Sequence, residues 1–233
     1  MNSPIFKNAL IVGAGTGLSA SLARQFVRAG IQVSLAARDT EKLSMLCNEI
    51  GAASYVCDAS DPVQVDELFE KLDAQVRSPD VVVYNASGRA RGSLVDLLPS
   101  EVERAMAVTA FGAFLVAQQA ARRMLTNNHG AILFTGASAS VKGFPKSAPF
   151  AMGKFALRGL AQSIARELAP QGIHVAHVII DGGIRNPGRV DPPGKPDSLL
   201  DPDAIAASYM HILTQPRSAW TWEIELRPWV EQF

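Results

Sequence analysis

Gly13-Ala14-Gly15-Thr16-Gly17-Leu18-Ser19 follows an apolar run and precedes a helical pattern. Glycines there let the chain turn tightly and bring N–H groups against a pyrophosphate, while the helix N-terminus behind them favours negative charge. A glycine-rich run alone is weakly diagnostic; its place between a strand and a helix is the confirming context. A carboxylate that binds the ribose diol of NAD usually follows the second strand, about 20 residues past the glycines. Here that strand ends Ala36-Ala37-Arg38. The carboxylate position falls on Ala37, and the next side chain is a guanidinium, suited to a 2′-phosphate through charge-assisted hydrogen bonds. Asp39 reads as a helix N-cap whose carboxylate faces backbone N–H groups. These residues predict NADP(H) in preference to NAD(H), held by Gly13, Gly15, Thr16, Gly17, Leu18 and Arg38.

The elements that must position this turn are legible as alternating patterns. Ala9–Val12, Gln32–Ala37, Ser54–Cys57, Val81–Tyr84, Ala131–Thr135, Val175–Ile180 and Glu223–Leu226 read as strands. Several are apolar almost throughout, as strands covered on both faces are. Helices are expected over Gly17–Ala29, from near Asp39, from Ser60-Asp61-Pro62, from Pro99 as one long helix toward Leu125, over a segment striped by Leu157, Leu160, Ala161, Ile164 and Leu168, and from Asp201-Pro202. Pro99-Ser100 ahead of Glu103 has capping-box spacing. The alternation predicts a single α/β domain over residues 1–233, a Rossmann-type doubly wound parallel sheet with right-handed crossovers. Residues 184–200 are rich in Pro and Gly and carry Arg185, Arg189 and Lys195. They read as an irregular loop, either a lid over substrate or a solvated connector.

Lys+Arg equals Asp+Glu at 22 each, so neither a nucleic-acid surface nor a polybasic membrane patch is expected. Met1–Lys7 has no signal-peptide pattern, no apolar run approaches a membrane span, and the expected compartment is the cytoplasm. Cys47 and Cys57 lack metal-ligand spacing and read as small apolar residues of a reducing compartment. His174 and His177 fall on opposite faces of a strand, so no metal site is expected, and none of His129, His174, His177 or His211 is assigned a catalytic role. Arg89 and Arg91 follow the fourth strand, either to attract an anionic ligand or as solvated loop residues.

From Leu10 to about Gly183 the chain resembles the short-chain dehydrogenase/reductase family, on several motifs in order. These are the Gly13-x-x-x-Gly17 turn, Cys57-Asp58-Ala59, Tyr84-Asn85-Ala86-Ser87, Gly112 and Lys154. The resemblance implies that Asp58 contacts the adenine amino group, that Asn85 belongs to the cofactor site, and that Lys154 holds the nicotinamide ribose. It also implies a homodimer or homotetramer paired through the two long helices. The departures fall on catalysis. The family's Tyr, four residues before the Lys, is Phe150 here, and a phenyl ring has no proton to give. The family's Ser falls on Ala137, which leaves Ser138 one place away as the candidate and Ser140 as a weaker one. Thr109 stands for the family's Asn, and Asp181-Gly182 for its Pro-Gly; the tail 220–233 does not match the family's ending. The catalytic candidates are thus Ser138, Phe150, Lys154 and Thr109. The expected function is an NADP(H)-dependent oxidoreductase acting on a small carbonyl, imine or activated C=C substrate with a non-standard proton donor. The alternative is a non-catalytic NADP(H)-binding sensor, regulatory subunit or scaffold.

Overall fold

A computed structural model describes residues 6–75, 77–186 and 188–231. Seven strands form one parallel sheet: β1 (Asn8–Val12), β2 (Gln32–Ala37), β3 (Ala53–Val56), β4 (Val81–Tyr84), β5 (Gly130–Thr135), β6 (Ile173–Ile180) and β7 (Glu223–Leu226). Their spatial order is β3-β2-β1-β4-β5-β6-β7. The order reverses beside β1, and ligands of open α/β sheets bind at the carboxyl ends of the strands at such a point.

Alternate residues of each central strand enter opposite cores. Ala9, Ile11, Val81 and Val83 pack on the side of α1 (Leu18–Arg28), α2 (Ser44–Ile50) and α7 (Pro202–Leu213). Leu10, Val12, Val82 and Tyr84 pack on the side of α3 (Pro62–Gln75), α5 (Gly112–Met124) and α6 (Ala148–Leu168). Two covered faces are why these strands carry unbroken apolar runs, each large buried side chain contributing roughly 1.5–3 kcal/mol. The single α/β domain is the one expected from the alternation.

The expected caps form at two helices. Asp61 Oδ1 accepts from Val63 N at 2.9 Å ahead of Pro62, and Asp201 Oδ1 accepts from Asp203 N at 2.8 Å. Asp39 Oδ1 accepts from Glu41 N at 3.0 Å, but one 3₁₀ turn (Glu41–Leu43) intervenes before α2. The Ser100–Glu103 capping box does not form: Leu98 precedes α4 (Pro99–Met106), and Pro99 takes the first helical turn, where its missing N–H costs nothing. The long helix expected from Pro99 toward Leu125 is also not uniform. Between α4 and α5, Ala107–Phe111 form a π-helical turn. Residues 184–200 are less irregular than their composition suggests. Ile184 and Leu200 form a parallel bridge, and Arg185 Nη2 lies 2.6 Å from Asp191 Oδ2. Among the described residues no helix is long and apolar enough to cross a membrane, and no group of His, Cys, Asp and Glu could hold a metal ion.

Candidate active site

The glycine turn joins β1 to α1 at the carboxyl edge of the sheet. Gly13 has φ +80°, and a Cβ there would lie 2.4 Å from the backbone N of Ala86, so no other residue fits without displacement. Its N–H and that of Ala14 donate to Ala36 O at 2.9 and 3.0 Å. Gly13 therefore shapes the turn rather than offering it a donor. The free donors come next: among the described residues no acceptor takes the N–H groups of Gly15, Thr16, Gly17, Leu18 or Ser19. Cβ atoms at Gly15 or Gly17 would meet nothing within 4 Å, so this backbone faces open space. Gly17 caps α1 with no side-chain hydrogen bond, leaving the helix terminus bare. Unpaired N–H groups, open space and an uncapped N-terminus together fit a diphosphate.

Beside the turn lies a cavity of about 240 Å³ lined by Gly13, Ala37, Arg38, Lys42, Asp58 and Asn85, among others. Arg38 and Lys42 bring two cations to the end of β2, and among the described residues neither forms a salt bridge. Burial raises the Asp58 carboxyl, but the Ser60 hydrogen bonds and the charges of Arg38 and Arg104 hold it below the usual carboxylate range. It is therefore an anion that can accept from an amino group. Asn85 is turned partly inward: Nδ2 donates to Ser19 Oγ at 2.8 Å and so braces α1 against the strand end. Of the cofactor residues expected from the sequence, this cavity gathers Gly13, Arg38, Asp58 and Asn85; Gly15, Thr16, Gly17 and Leu18 lie along the turn outside its wall.

Asn85 and Ser87 also line a second cavity, of about 330 Å³, so the two adjoin. Its wall includes Ala137, Phe150, Lys154, Arg89 and Arg189. Lys154 is 3 % exposed and its Nζ donates to Thr135 O at 2.6 Å. Burial, with a smaller contribution from the like charge of Arg89, lowers it to about 7. Phe150 lies one helical turn earlier on α6, its ring centroid 5.9 Å from Lys154 Nζ. The α6 register thus stacks the two side chains as the four-residue spacing requires.

The hydroxyl candidates do not join them. Ala137, extended at φ −158°, is on the cavity wall; Ser138 is not, and its side chain faces Asp181. Asp181 is buried, receives Lys142 Nζ at 3.1 Å, and is held below the usual range by these bonds and charges against the opposing effect of burial. Thr109 is fully buried behind the wall, in the π-helical turn. Its Oγ1 accepts from Gly88 N at 2.8 Å, and it packs so close to Gly153 that a Cβ there would sit 2.9 Å from Thr109 Cβ. Thr109 therefore positions α6 and the loop after β4.

A buried network under Lys154 escaped the sequence reading. Ser140 Oγ accepts from Ala137 N at 3.1 Å and lies 3.3 Å from His177 Nε2, while His177 Nδ1 lies 2.9 Å from Glu223 Oε2. Glu223 also receives both nitrogens of an Arg158 fork at 2.6 and 2.7 Å. A carboxylate only accepts, so Nδ1 carries the ring proton and Nε2 accepts from Ser140. Burial lowers His177 to about 4 despite Glu223, so it is neutral near pH 7. Ser, His and Glu stand in order, yet Ser140 is fully buried and its oxygen holds the Ala137 turn, so the set is a clamp and not a nucleophile. Nothing local in the sequence links residues 140, 158, 177 and 223; the β6–β7 pairing sets His177 beside Glu223, and the loop after β5 and α6 bring in Ser140 and Arg158.

A family model described as short chain dehydrogenase matches residues 7–188. A short-chain dehydrogenase from Rhodopseudomonas palustris is 33 % identical, with a TM-score of 0.80 over 95 % of this chain and 99 % of its own. A metagenomic short-chain oxidoreductase solved in complex with NADP is 28 % identical, with a TM-score of 0.85 over 99 % of this chain and 100 % of its own. The sepiapterin reductase of Chlorobaculum tepidum is 29 % identical over 94 % of this chain and 95 % of its own.

Proposed function

This chain belongs to the short chain dehydrogenase family, and from that premise we propose that it is an NADP(H)-dependent oxidoreductase acting on a small carbonyl, imine or activated C=C substrate. The observation that carries the reading is the continuity of the two cavities: the free N–H groups of residues 15–19 and the Arg38–Lys42 pair lead through Asn85 and Ser87 to Lys154. When bound, the nicotinamide supplies the hydride. The chain's own residues orient and protonate. Gly15–Ser19 take the diphosphate, Arg38 and Lys42 the 2′-phosphate, Asp58 the adenine, and Lys154 the ribose hydroxyls. The metagenomic relative binds NADP, which supports this cofactor.

Phe150 removes the phenol, Ala137 the hydroxyl opposite it, and Ser138 points to Asp181. The Lys154 ammonium is then the wall group that releases a proton most readily near neutral pH, and it is the proton donor of this reading. Substrates that need little acid assistance suit such a site best. Exposed Phe111 at the end of the π-helical turn, Phe114 on α5, and Met152 and Phe155 on α6 support pairing of copies through these helices.

The test is a fluorescence titration with NADPH and NADH, then a substrate panel on the same sample. NADPH is expected to bind more tightly, and Arg38→Ala to abolish the difference. Equal affinities, or tighter NADH, refute the role of Arg38. The second reading, a cofactor binder without turnover, draws on Phe150 and Ala137 together. Tight NADPH with no turnover across carbonyls, imines and enones would establish it, and ordinary turnover by the native chain would end it.

A further inference from the structure

We propose that the cavity above Phe150 is a carboxylate site, and that Arg89 and Arg189 make this chain selective for small oxo acids. The inference rests on the oxidoreductase reading and narrows its substrate class.

Arg89 is placed for a ligand. It follows β4 in the chain, and its guanidinium carbon lies 4.4 Å from the Phe150 ring centroid. The ring that replaces the family's phenol thus serves as a platform, holding a planar cation over the reacting end of the cavity. Arg189 reaches the same cavity from the loop after β6. Its guanidinium lies against Gly183, where a Cβ would stand 2.2 Å from Nη2 and would push the guanidinium aside.

Both guanidinium groups lack a partner. Among the described residues neither has a hydrogen bond or an ion pair, whereas Arg24, Arg123, Arg158, Arg185 and Arg227 all meet carboxylates. No Asp or Glu lines the cavity, while Lys154 adds a third cation. An adjoining hollow, which Arg89 also lines, brings Arg38, Arg91 and Arg104 against one acid, Glu101. The mutual repulsion is visible in the ionisation: burial, Arg91 and Arg189 lower Arg89, and burial and Arg89 lower Lys154. Arg89 and Arg189 are exposed to solvent, but like charges gathered on one cavity wall with no counter-ion repel one another, and an anionic ligand relieves that repulsion.

The cofactor's diphosphate is the other anion that could satisfy them. It already has the unpaired N–H groups of residues 15–19, and the 2′-phosphate has Arg38 and Lys42, in the other cavity. A substrate carboxylate matches the planar forks of Arg89 and Arg189. In reduction the oxo carbon takes a hydride from the reduced nicotinamide, which is oxidised, and the oxo oxygen takes a proton, giving a hydroxy acid.

The probes are malonate and its uncharged dimethyl ester, added to the full chain with and without NADPH at matched ionic strength. Melting temperature and NADPH fluorescence are the readouts. Malonate is expected to raise the melting temperature and the ester to leave it unchanged. Arg89→Met and Arg189→Met should each weaken malonate about tenfold or more, about 1.4 kcal/mol, and leave NADPH affinity within about twofold. A wild-type chain indifferent to malonate overturns the proposal, as does malonate binding that survives in both variants. If the variants weaken NADPH as much as malonate, the guanidinium groups serve the cofactor and the proposal also falls. NADPH is read separately: its failure to bind refutes the oxidoreductase reading, whereas malonate binding in that sample still supports the anion site.

Discussion

Position 150 concentrates the chemistry at the scale of single residues. Phe150 stacks beneath Arg89 and one turn from Lys154, in a cavity where Ala137 also offers only a methyl group. Phe150→Tyr returns a phenol beside a cation that lowers its pKa. General acid catalysis contributes about 10²–10⁴ in rate, and without a serine at 137 the expected rise in kcat for a ketone is at the lower end of that range. No rise would show that the proton already has an efficient source. Lys154 supplies the pH test. It holds its proton below about 7 and loses it above, so kcat/KM for reduction should fall as pH rises through that value. Arg89→Met removes a neighbouring positive charge and should move the fall to higher pH. A rate indifferent to pH between about 6 and 9 would remove Lys154 as donor. Phe150 and Lys154 were legible in the sequence because one helix carries both at fixed spacing. Ser138 shows the opposite case, since a single residue of loop decides whether a hydroxyl faces the cavity or Asp181.

Elements set how the turn and the wall are held. Gly13 and Gly15 look alike in the sequence, but they differ in what surrounds them. Gly13→Ala must accommodate a Cβ 2.4 Å from a backbone atom at φ +80°, so it should cost about 2–5 kcal/mol of stability in a denaturant titration. Gly15→Ala meets no protein atom. It should leave the melting temperature almost unchanged and weaken NADPH, because its methyl enters the space that the proposed function gives to the diphosphate. Equal stability losses in the two variants would contradict this division. The strands were legible because both faces are buried and the apolar runs are continuous. The π-helical turn at Ala107–Phe111 was not, although it places Thr109 against Gly88 and Gly153. A π-helical turn keeps helical periodicity on either side, and the packing that selects it comes from β4 and α6.

The whole molecule closes around the clamp of Ser140, His177, Glu223 and Arg158, which ties β5's exit loop, β6, β7 and α6 together. His177 has its folded pKa lowered from 6.5 to about 4. As pH falls below 6.5 the unfolded chain takes up this proton and the folded chain does not. The His177 contribution to stability should therefore decline between 6.5 and about 4 and level off below. Urea unfolding of wild type and His177→Gln across this window checks it: the variant should show a shallower decline, and parallel curves would show that other groups control acid stability. The amino-acid order alone determined the parallel sheet, the glycine turn, Arg38 after β2 and Lys154 behind Phe150. Each of these is a local pattern, enforced by burial period, turn sterics or helical spacing. Tertiary structure alone decided that Arg89 and Arg189 line one cavity with Phe150, that Ser138 turns away, and that His177 is a buried neutral clamp. Those outcomes depend on side chains brought together from distant strands and loops, and the charge left uncompensated between them exists only once the chain has folded.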